Sequence, residues 1–156
     1  MNILVTGSSG FIATYFFNKL SSKNKFFGID LRNSKNTKFL QDVRNEIKSS
    51  EFPKKIDLII NLAAIHREPG HNDHEYFETN ILGAETITEL AEKVKCNRII
   101  FTSSISPYGI ENKLKDENTI PCPKTPYGSS KLAAEKIHIA WQNRDKKNRI
   151  LTISLN

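Results

Sequence analysis

The sequence predicts an α/β fold, a doubly wound parallel sheet with helices on both faces. Three observations predict it. An apolar strand pattern at residues 2–5 runs directly into a glycine-containing turn and then into a helical pattern. Strand-like and helix-like segments alternate along the rest of the chain, which is typical of a parallel sheet. The apolar run at residues 56–63 has the length and content of a strand buried on both faces.

Each predicted strand is a short apolar run bounded by turn residues. The second strand ends at Asp30, and the third is the shortest. The strands are expected at residues 2–5, 25–30, 38–40, 56–63, 98–102 and 150–155.

Each predicted helix carries apolar residues at helical spacing. The second is closed off before Pro53, and Pro126 fits the first turn of the last helix, where a missing N–H is tolerated. A polar loop with a Pro69–Gly70 step precedes the longest helix, and an irregular connection at residues 105–125 precedes the last. The helices are expected at residues 11–20, 43–50, 75–95 and 126–144.

The composition argues against several classes of protein. With 156 residues and no visible linker, a single domain over residues 1–156 is expected. The apolar runs fall short of the ~20 residues needed to span a bilayer, and the chain start lacks the pattern of a signal peptide. Cys96 and Cys122 lie far apart without metal-ligand spacing, so a reduced, cytoplasmic protein is expected.

The net charge of +6 raises the question of a nucleic-acid partner. The lysines are dispersed along the chain, and no basic stripe is interleaved with aromatic residues. We therefore expect neither a nucleic-acid nor a membrane partner. The charge is interpreted as a solvated surface that favours an anionic ligand.

The first turn has the spacing of a phosphate-binding loop. Gly7, Gly10 and Ala13 form a Gly-x-x-Gly-x-x-Ala pattern between the first strand and the first helix. Such glycines allow a tight turn and a close approach to a pyrophosphate, and the helix amino terminus favours negative charge. This is the context that the dinucleotide-binding fingerprint of a Rossmann-type fold requires. The cofactor-binding residues expected in this loop are Gly7, Ser9, Gly10, Phe11 and Ile12.

Asp30 stands about 20 residues past these glycines, at the end of the second strand. A carboxylate there accepts hydrogen bonds from both ribose hydroxyls and repels a 2′-phosphate, which favours NAD over NADP. Arg32 tempers this preference, because its guanidinium could accommodate that phosphate. The alternative interpretation of Asp30 is a turn carboxylate at a strand end.

A hydroxyl, a phenol and an ammonium follow later in the chain. Tyr127 and Lys131 lie one turn apart on one face of the last predicted helix, and Ser104 follows the fifth predicted strand. A free phenol has a pKa of about 10, and a nearby ammonium favours the phenolate, which can take a proton from a sugar hydroxyl. Ser104 can hydrogen-bond the same oxygen. A Tyr–Lys pair also arises by chance on helix surfaces, so its weight comes from the upstream glycine turn.

These motifs together resemble the extended short-chain dehydrogenase/reductase superfamily. The likeness is closest to its NAD-dependent nucleotide-sugar epimerases and dehydratases of the UDP-glucose 4-epimerase type, and it covers essentially all 156 residues. The motifs are Thr-Gly-Ser-Ser-Gly-Phe-Ile at 6–12, Asp-Val at 42–43, Asn-Leu-Ala-Ala at 61–64, Asn-Ile-Leu-Gly at 80–83, Ser-Ser at 103–104 with Tyr-Gly at 108–109, and Pro-Tyr-Gly-Ser-Ser-Lys at 126–131.

Further cofactor contacts follow from the resemblance by position. It implies that Asp42 and Val43 border the adenine and that His66 lies near the nicotinamide half of the cofactor. It also implies that Asn80 braces the central helix and strand beside the cofactor. The residues implied to line the cofactor channel are Leu62, Ala63 and Ala64.

The resemblance implies an epimerase that works by transient oxidation and re-reduction of a nucleotide sugar. Tyr127 takes the place of the base, Lys131 that of its partner and Ser104 that of the catalytic hydroxyl. Tyr127 and Lys131 also belong to the implied cofactor site, where Lys131 holds the nicotinamide ribose. Ile105 and Ser106 stand where dehydratases of this type carry Asp-Glu, which lowers the weight of dehydration.

Family members are usually much longer, and their carboxyl-terminal part supplies most of the nucleotide-sugar pocket. Besides an epimerase, two alternatives therefore stay open: a truncated, non-catalytic NAD-binding remnant or subunit, and a nucleotide-sugar reductase or dehydratase. A last strand at an uncovered sheet edge favours association, so a homodimer is a further expectation. The resemblance also suggests a role in polysaccharide biosynthesis.

Three histidines in one polar loop, His66, His71 and His74, invite a metal site. Their spacing matches no recognised zinc pattern, and a polar loop leading to a helix is the favoured interpretation. No metal is therefore expected. His138 and Trp141 on the last helix are interpreted as packing or surface residues.

Overall fold

The structure is a computed structural model that describes residues 1–109, 114–116 and 118–155. Its centre is a six-stranded parallel sheet with the strand order β3-β2-β1-β4-β5-β6, which confirms the predicted fold class. The strands are β1 (Asn2–Thr6), β2 (Lys25–Asp30), β3 (Phe39–Leu40), β4 (Leu58–Asn61), β5 (Arg98–Thr102) and β6 (Ile150–Ser154).

Three helices cover the two faces of this sheet. Alternate residues of a strand point to opposite faces, so Ile3 and Val5 pack under the first helix, whereas Leu4 packs against the other two. Because β1 is tightly buried on both faces, its three consecutive residues Ile3, Leu4 and Val5 are all apolar. The helices are α1 (Phe11–Leu20), α2 (Asp73–Lys93) and α3 (Pro126–Asn143).

The predicted helix at residues 43–50 is wrong. That segment forms turns that end in a single 3₁₀ turn at Ser49–Glu51. The Asp42 carbonyl accepts from the Asn45 N–H at 3.0 Å, and the Asp42 carboxylate accepts from the backbone and guanidinium of Arg44. Such local bonds compete with a helical backbone, and the buried Val43 and Ile47 anchor the segment without one.

The other predicted elements agree with the structure to within a few residues, with one informative difference. β4 ends at Asn61 rather than at residue 63, because the N–H groups of Leu62 and Ala63 donate to the Thr6 hydroxyl instead of to a strand. Part of the predicted connection at 105–125, namely residues 110–113 and 117, lies outside the described residues.

The strand order reverses between β1 and β4, so the chain leaves these two neighbouring strands towards opposite faces. In open parallel sheets, ligands bind at the carboxyl ends of the strands at such a switch point. Within the described part of the chain, no helix is both long and apolar enough to cross a membrane.

Candidate active site

The glycine turn after β1 is built by backbone packed on backbone. Gly7 has φ +67°, and a Cβ there would lie 3.0 Å from the Ala63 nitrogen and 3.0 Å from the Leu62 carbonyl carbon. The Gly10 N–H donates to the Gly7 carbonyl at 3.0 Å, which closes the turn. A side chain at Gly7 would therefore strain the turn and push away the exit of β4. This tight cradle brings the chain backbone to the point where a pyrophosphate approaches in the dinucleotide-binding fingerprint.

The amino end of α1 completes the cradle. The N–H groups of Phe11, Ile12 and Ala13 precede the first helical bond, which the Thr14 N–H donates to the Gly10 carbonyl, and the first turn carries no acidic residue. Phe11 is 91% exposed above the turn, while Ala13 is fully buried against the sheet. Free N–H groups and the positive helix end therefore suit an anionic group, and the structure fits the predicted phosphate site.

Asp30 lies beside this cradle at the carboxyl end of β2. Its Oδ2 accepts from the Ser9 N–H at 2.8 Å, and its Oδ1 accepts from the Arg32 N–H at 2.9 Å. Both oxygens keep free lone pairs, because a carboxylate accepts about four hydrogen bonds. The two backbone bonds fix the carboxylate where it can receive ribose hydroxyls. Arg32 itself is exposed.

The predicted adenine-side pair occupies the neighbouring turn after β3. Asp42 forms a 2.7 Å ion pair with Arg44, and the hydrogen bonds of this arginine hold the pKa of the carboxyl below its ordinary value. Val43 is buried and lies next to Gly83 of α2, where a Cβ would approach the Val43 side chain to 3.2 Å. The valine therefore packs inward.

The predicted channel residues follow β4 and are held from two sides. Leu62 and Ala63 are tied to the Thr6 hydroxyl at 3.2 and 3.1 Å. The Asn80 side-chain amide of α2 accepts from the Ile65 N–H at 3.1 Å and donates to the Ile65 carbonyl at 3.2 Å. These two bonds fix the loop after β4 at Ile65. Ala64 lies within this clamped stretch, and His66 beyond it is exposed.

The hydroxyl and the phenol of the predicted trio meet at the carboxyl end of β5. Ser104 is 6% exposed, and its Oγ accepts from the Ser106 N–H at 3.2 Å. Tyr127 stands in the first turn of α3, which Thr125 caps by accepting from the Gly128 N–H at 3.1 Å. Burial raises the pKa of the Tyr127 phenol, and its hydrogen bond with Ser104 only partly opposes that rise.

That hydrogen bond does not dominate the acidity of Tyr127. Burial raises the pKa of its phenol above the ordinary value, and the nearby negative charge of Glu68 adds to the rise. Glu68 lies in the loop between β4 and α2 and accepts from the Tyr127 N–H at 3.4 Å. The phenol is therefore protonated at neutral pH in this structure.

Lys131 lies deeper, one turn further along α3. Its Nζ donates to the Thr102 carbonyl at 2.6 Å and lies 4.2 Å from the centre of the Phe101 ring. Burial lowers the pKa of this lysine to about 8, although the carboxylate of Glu135 opposes the change. Glu135 in turn accepts from the Ser103 hydroxyl. The lysine is thus a shielded cation held at the end of β5.

The structure brings the predicted groups to one edge of the sheet. The glycine turn follows β1, Asp30 ends β2, Ser104 follows β5, and the start of α3 folds back over the same edge. Because all six strands are parallel, their carboxyl ends share this edge. The glycine turn, Asp30 and the Ser–Tyr–Lys trio therefore lie at the same edge of the sheet.

Four polar residues near the site were missed from the sequence. Ser130 accepts from Asn80 at 2.9 Å, Glu68 and Glu135 flank the trio, and His138 is buried behind it. Glu135 and His138 stand at helical spacing on α3, and Glu68 lies in the loop after β4. Spacing alone does not distinguish these residues from ordinary surface residues. The interpretation of His138 as a packing or surface residue agrees with its complete burial, and the structure adds the hydrogen bonds of its ring.

Acidification from about pH 6.5 towards 4 is expected to remove about 3 kcal/mol of stability through His138. Burial lowers the pKa of this imidazole to about 4, even though the Ala134 carbonyl opposes the change. In the unfolded chain its ordinary value is 6.5. Between these values the unfolded chain binds more protons, so stability falls as the pH falls.

Urea unfolding at a series of pH values, for the unchanged chain and for His138→Gln, measures this loss. The carboxylates titrate in both proteins and cancel in the comparison. The unchanged chain should lose stability more steeply than the variant over this range, and parallel curves would contradict the prediction.

The histidine-rich loop does not form a metal site among the described residues, where no group of three or more His, Cys, Asp or Glu side chains could hold a metal ion. His71 lies 3.9 Å from Glu75, and Glu75 accepts from the Asn72 N–H at 2.7 Å at the start of α2. These contacts stabilise the helix start.

Comparison with known proteins agrees with this geometry. The sequence model of the NAD-dependent epimerase/dehydratase family matches residues 3–155 of this chain. The chain belongs to this family. The predicted resemblance is thereby confirmed, and the family is NAD-dependent.

Curated relatives match nearly the whole of the chain but are longer. The chain is 30% identical over 155 residues to N-acetyl-alpha-D-glucosaminyl-diphospho-ditrans,octacis-undecaprenol 4-epimerase of Escherichia coli O157:H7, covering 97% of this chain and 47% of that relative. It is 28% identical over 184 residues to UDP-glucose 4-epimerase of Pisum sativum, covering 97% and 50%. The chain spans about half the length of the curated relatives that it matches.

A solved structure shows the same fold with ligands present. UDP-glucuronic acid 4-epimerase from Bacillus cereus, in complex with UDP-glucuronic acid and NAD, superposes with a TM-score of 0.81 at 26% identity. The match covers 98% of this chain and 55% of that one. A UDP-galactose 4-epimerase at 22% identity gives a TM-score of 0.85 and supports the fold.

Proposed function

We propose that this chain is the cofactor-binding and reactive half of an NAD-dependent epimerase that acts on a nucleotide sugar. The observation that carries the proposal is the shared edge of the sheet: the turn at Gly7 and Asp30 follow strands of the same parallel sheet at whose edge Ser104, Tyr127 and Lys131 lie. The family is known for this chemistry, and relatives along the whole chain are 4-epimerases.

The residues present fit the dinucleotide. The cradle and the α1 amino end would hold the pyrophosphate, Asp30 the adenosine ribose, and Lys131 the nicotinamide ribose. Asp42 and Val43 would border the adenine, and the stretch from Leu62 to His66 would line the channel. When bound there, NAD would supply a reversible hydride acceptor for the sugar carbon.

The proton chemistry falls to the trio. Tyr127 would take the proton of the sugar hydroxyl through its phenol oxygen, and Ser104 would donate to the same sugar oxygen as charge develops there. Burial and Glu68 raise the pKa of the phenol, so the base needs a positive charge beside it. Lys131, whose ammonium donates to the Thr102 carbonyl at the end of β5, would supply that charge from α3.

A polyprenyl-diphosphate-linked sugar is the second substrate candidate. The relative from Escherichia coli O157:H7 is a 4-epimerase of such a compound and matches 97% of this chain. Both candidates carry a sugar on a diphosphate, so the same trio would serve either. Turnover of the nucleotide sugar against that of the lipid-linked sugar, in an assembly with a complete pocket, distinguishes them.

The alternative functions of a nucleotide-sugar reductase or dehydratase have less support than the epimerase. Ile105 and Ser106 follow Ser104 and offer no carboxyl group for the extra proton transfer that dehydration requires. Net formation of NAD from NADH with a keto-sugar would favour a reductase over an epimerase.

A non-catalytic NAD-binding subunit is the remaining candidate. The chain spans about half the length of its relatives, and binding energy from the non-reacting part of a substrate normally orients its reacting part. NAD binding without turnover in any assembly would favour this candidate over the epimerase.

NAD binding is the direct test of the proposal. The unchanged chain is expected to bind NAD more tightly than NADP in isothermal titration. Asp30→Ala should weaken NAD binding roughly tenfold, because it removes an acceptor for the ribose hydroxyls, and should narrow the preference over NADP.

Asp145→Asn is a control, since Asp145 lies partly exposed in the turn beyond the far end of α3, where its carboxylate bonds Asn148. It should leave both affinities unchanged. Absence of heat with either dinucleotide would refute the proposed function.

Two further properties are proposed here. β6 is an edge strand with Ile150 52% exposed, so pairing of this edge between two copies would give a homodimer. Cys96 and Cys122 are both free thiols, which supports a reducing cytoplasmic setting. The similarity to a 4-epimerase of a polyprenyl-diphosphate-linked sugar supports a role in polysaccharide biosynthesis. Sedimentation of the purified chain tests the first, and a single monomeric species at high concentration would contradict it.

A further inference from the structure

A buried histidine lies behind the reactive trio, and the proposed mechanism gives it no task. His138 is fully buried on α3, two turns beyond Lys131. Its Nδ1 lies 2.8 Å from the Ala134 carbonyl oxygen, and its Nε2 lies 3.4 Å from Nδ2 of Asn61. A carbonyl only accepts, so Nδ1 carries the proton and Nε2 is the acceptor. The imidazole is thus neutral with one defined tautomer.

Asn61, at the end of β4, continues the line of hydrogen bonds. Its Nδ2 donates to His138, and its Oδ1 accepts from the Thr6 hydroxyl at 2.7 Å. The Thr6 oxygen in turn accepts from the N–H groups of Leu62 and Ala63. These are the two residues whose backbone packs against the glycine turn. Three buried side chains therefore connect α3 with the wall of the cradle.

The orientation of Asn61 depends on what faces it. An amide can turn by half a rotation and exchange its oxygen and nitrogen. Thr6 donates its only proton and His138 offers only an acceptor, so both neighbours require the observed orientation. Without an acceptor at position 138, a buried amide N–H would be left unpaired, which is costly.

The ring of His138 also has a packing role that can be separated from its hydrogen bonds. It stacks on Phe101 with the ring centres 4.3 Å apart and the planes 16° from parallel. The same Phe101 ring contacts the Lys131 ammonium. Phenylalanine at position 138 would keep the stacked ring and lose the acceptor, whereas glutamine would keep an acceptor and a donor and lose the ring.

We propose that His138 is a positioning residue, whose Nε2 fixes the Asn61 amide and thereby the cradle wall formed by Thr6 with the exit of β4. This inference rests on the proposed NAD-binding function and adds to it a residue that touches neither cofactor nor substrate. It predicts that NAD affinity depends on whether the side chain at position 138 can accept a hydrogen bond from Asn61, and not on how much space that side chain fills.

The first experiment uses the unchanged chain and needs no cofactor. Two-dimensional ¹⁵N–¹H NMR of the imidazole nitrogens at neutral pH should show His138 as the Nδ1–H tautomer, with its signals assigned by their loss in His138→Gln. An Nε2–H tautomer or a charged ring would overturn the proposal, because either would place a donor against the Asn61 N–H.

The second experiment measures NAD affinity by isothermal titration in His138→Phe and His138→Gln. The phenylalanine variant should bind NAD about tenfold more weakly, because the buried Asn61 N–H loses its hydrogen-bond acceptor. The glutamine variant should stay within about threefold of the unchanged chain. Equal losses, or the reverse order, would overturn the proposal, because they are the result expected if the ring only fills space.

Trp141→Phe is the matched control. Trp141 lies one turn further along α3 and is 1% exposed, and its indole N–H has no partner among the residues that the structure describes, so this change loses no hydrogen bond seen there. It should leave NAD affinity unchanged at a similar depth of burial. If the unchanged chain binds no NAD, the proposed function fails, whereas normal binding with the wrong order of variants overturns only the role of His138.

Discussion

Replacing Tyr127 with phenylalanine is expected to slow nucleotide-sugar turnover by about a thousandfold while NAD still binds. The measurement needs an assembly with a complete substrate pocket, and it follows the interconversion of the sugar epimers. The change removes one oxygen from a ring that is half-buried in the first turn of α3. Loss of the proton acceptor slows every cycle, because oxidation of an alcohol cannot proceed with the hydroxyl proton in place.

The fold should survive this substitution. The Thr125 cap and the packing of the ring near Tyr76, with ring centres 6.1 Å apart, do not use the phenol oxygen. Tyr15→Phe, which removes an exposed phenol from the outside of α1, is the control and should keep full turnover. A Tyr127→Phe enzyme with a near-normal rate would remove this residue as the base.

Gly28→Ala is expected to destabilise the chain by at least about 3 kcal/mol. A Cβ at this position in β2 would lie 2.0 Å from the Asn36 carbonyl oxygen and 2.7 Å from the Ser8 Cβ. The carbonyl belongs to the backbone, so the loop before β3 must move. Ser8 lies inside the glycine turn, so the cradle would be displaced with it, and NAD binding should be lost.

Urea unfolding monitored by circular dichroism gives the change in stability. Gly70→Ala is the matched control, because its Cβ would lie 3.3 Å from the Arg67 Cβ and 3.4 Å from the Arg67 carbonyl oxygen, in an exposed loop. It should change stability by less than about 0.5 kcal/mol. A Gly28→Ala chain as stable as the control would contradict the prediction, because it would show that the loop at Asn36 can move at little cost in free energy.

Local patterns carried most of what could be predicted from the sequence. The turn at Gly7 and Gly10 and the Tyr127–Lys131 pair are each contained in a short segment, so their residue types and spacing indicate their geometry directly. Asp30 follows from its distance to the turn. The failed helix at residues 43–50 shows the limit of such reasoning, because the side chain of Asp42 bonds its own neighbours and overrides the apolar spacing.

Contacts between distant segments were out of reach. Asn61 and His138 are 77 residues apart, and nothing in the spacing around either residue indicates that they meet. The acidity of Tyr127 is a similar case. The expected influence of Lys131 on the phenol was a sequence argument, whereas burial and Glu68 from a loop 59 residues earlier set the direction of the pKa in the structure.

The hydroxyl of Thr6 has a consequence for the time at which the site appears during folding. It joins the end of β1 to a segment 55 residues further on, so the first strand, turn and helix alone lack the wall against which Gly7 rests. Closing so long a loop is slow compared with forming a helix. A growing chain would therefore acquire affinity for a dinucleotide only after residue 63 has left the ribosome, although every glycine of the turn was made much earlier.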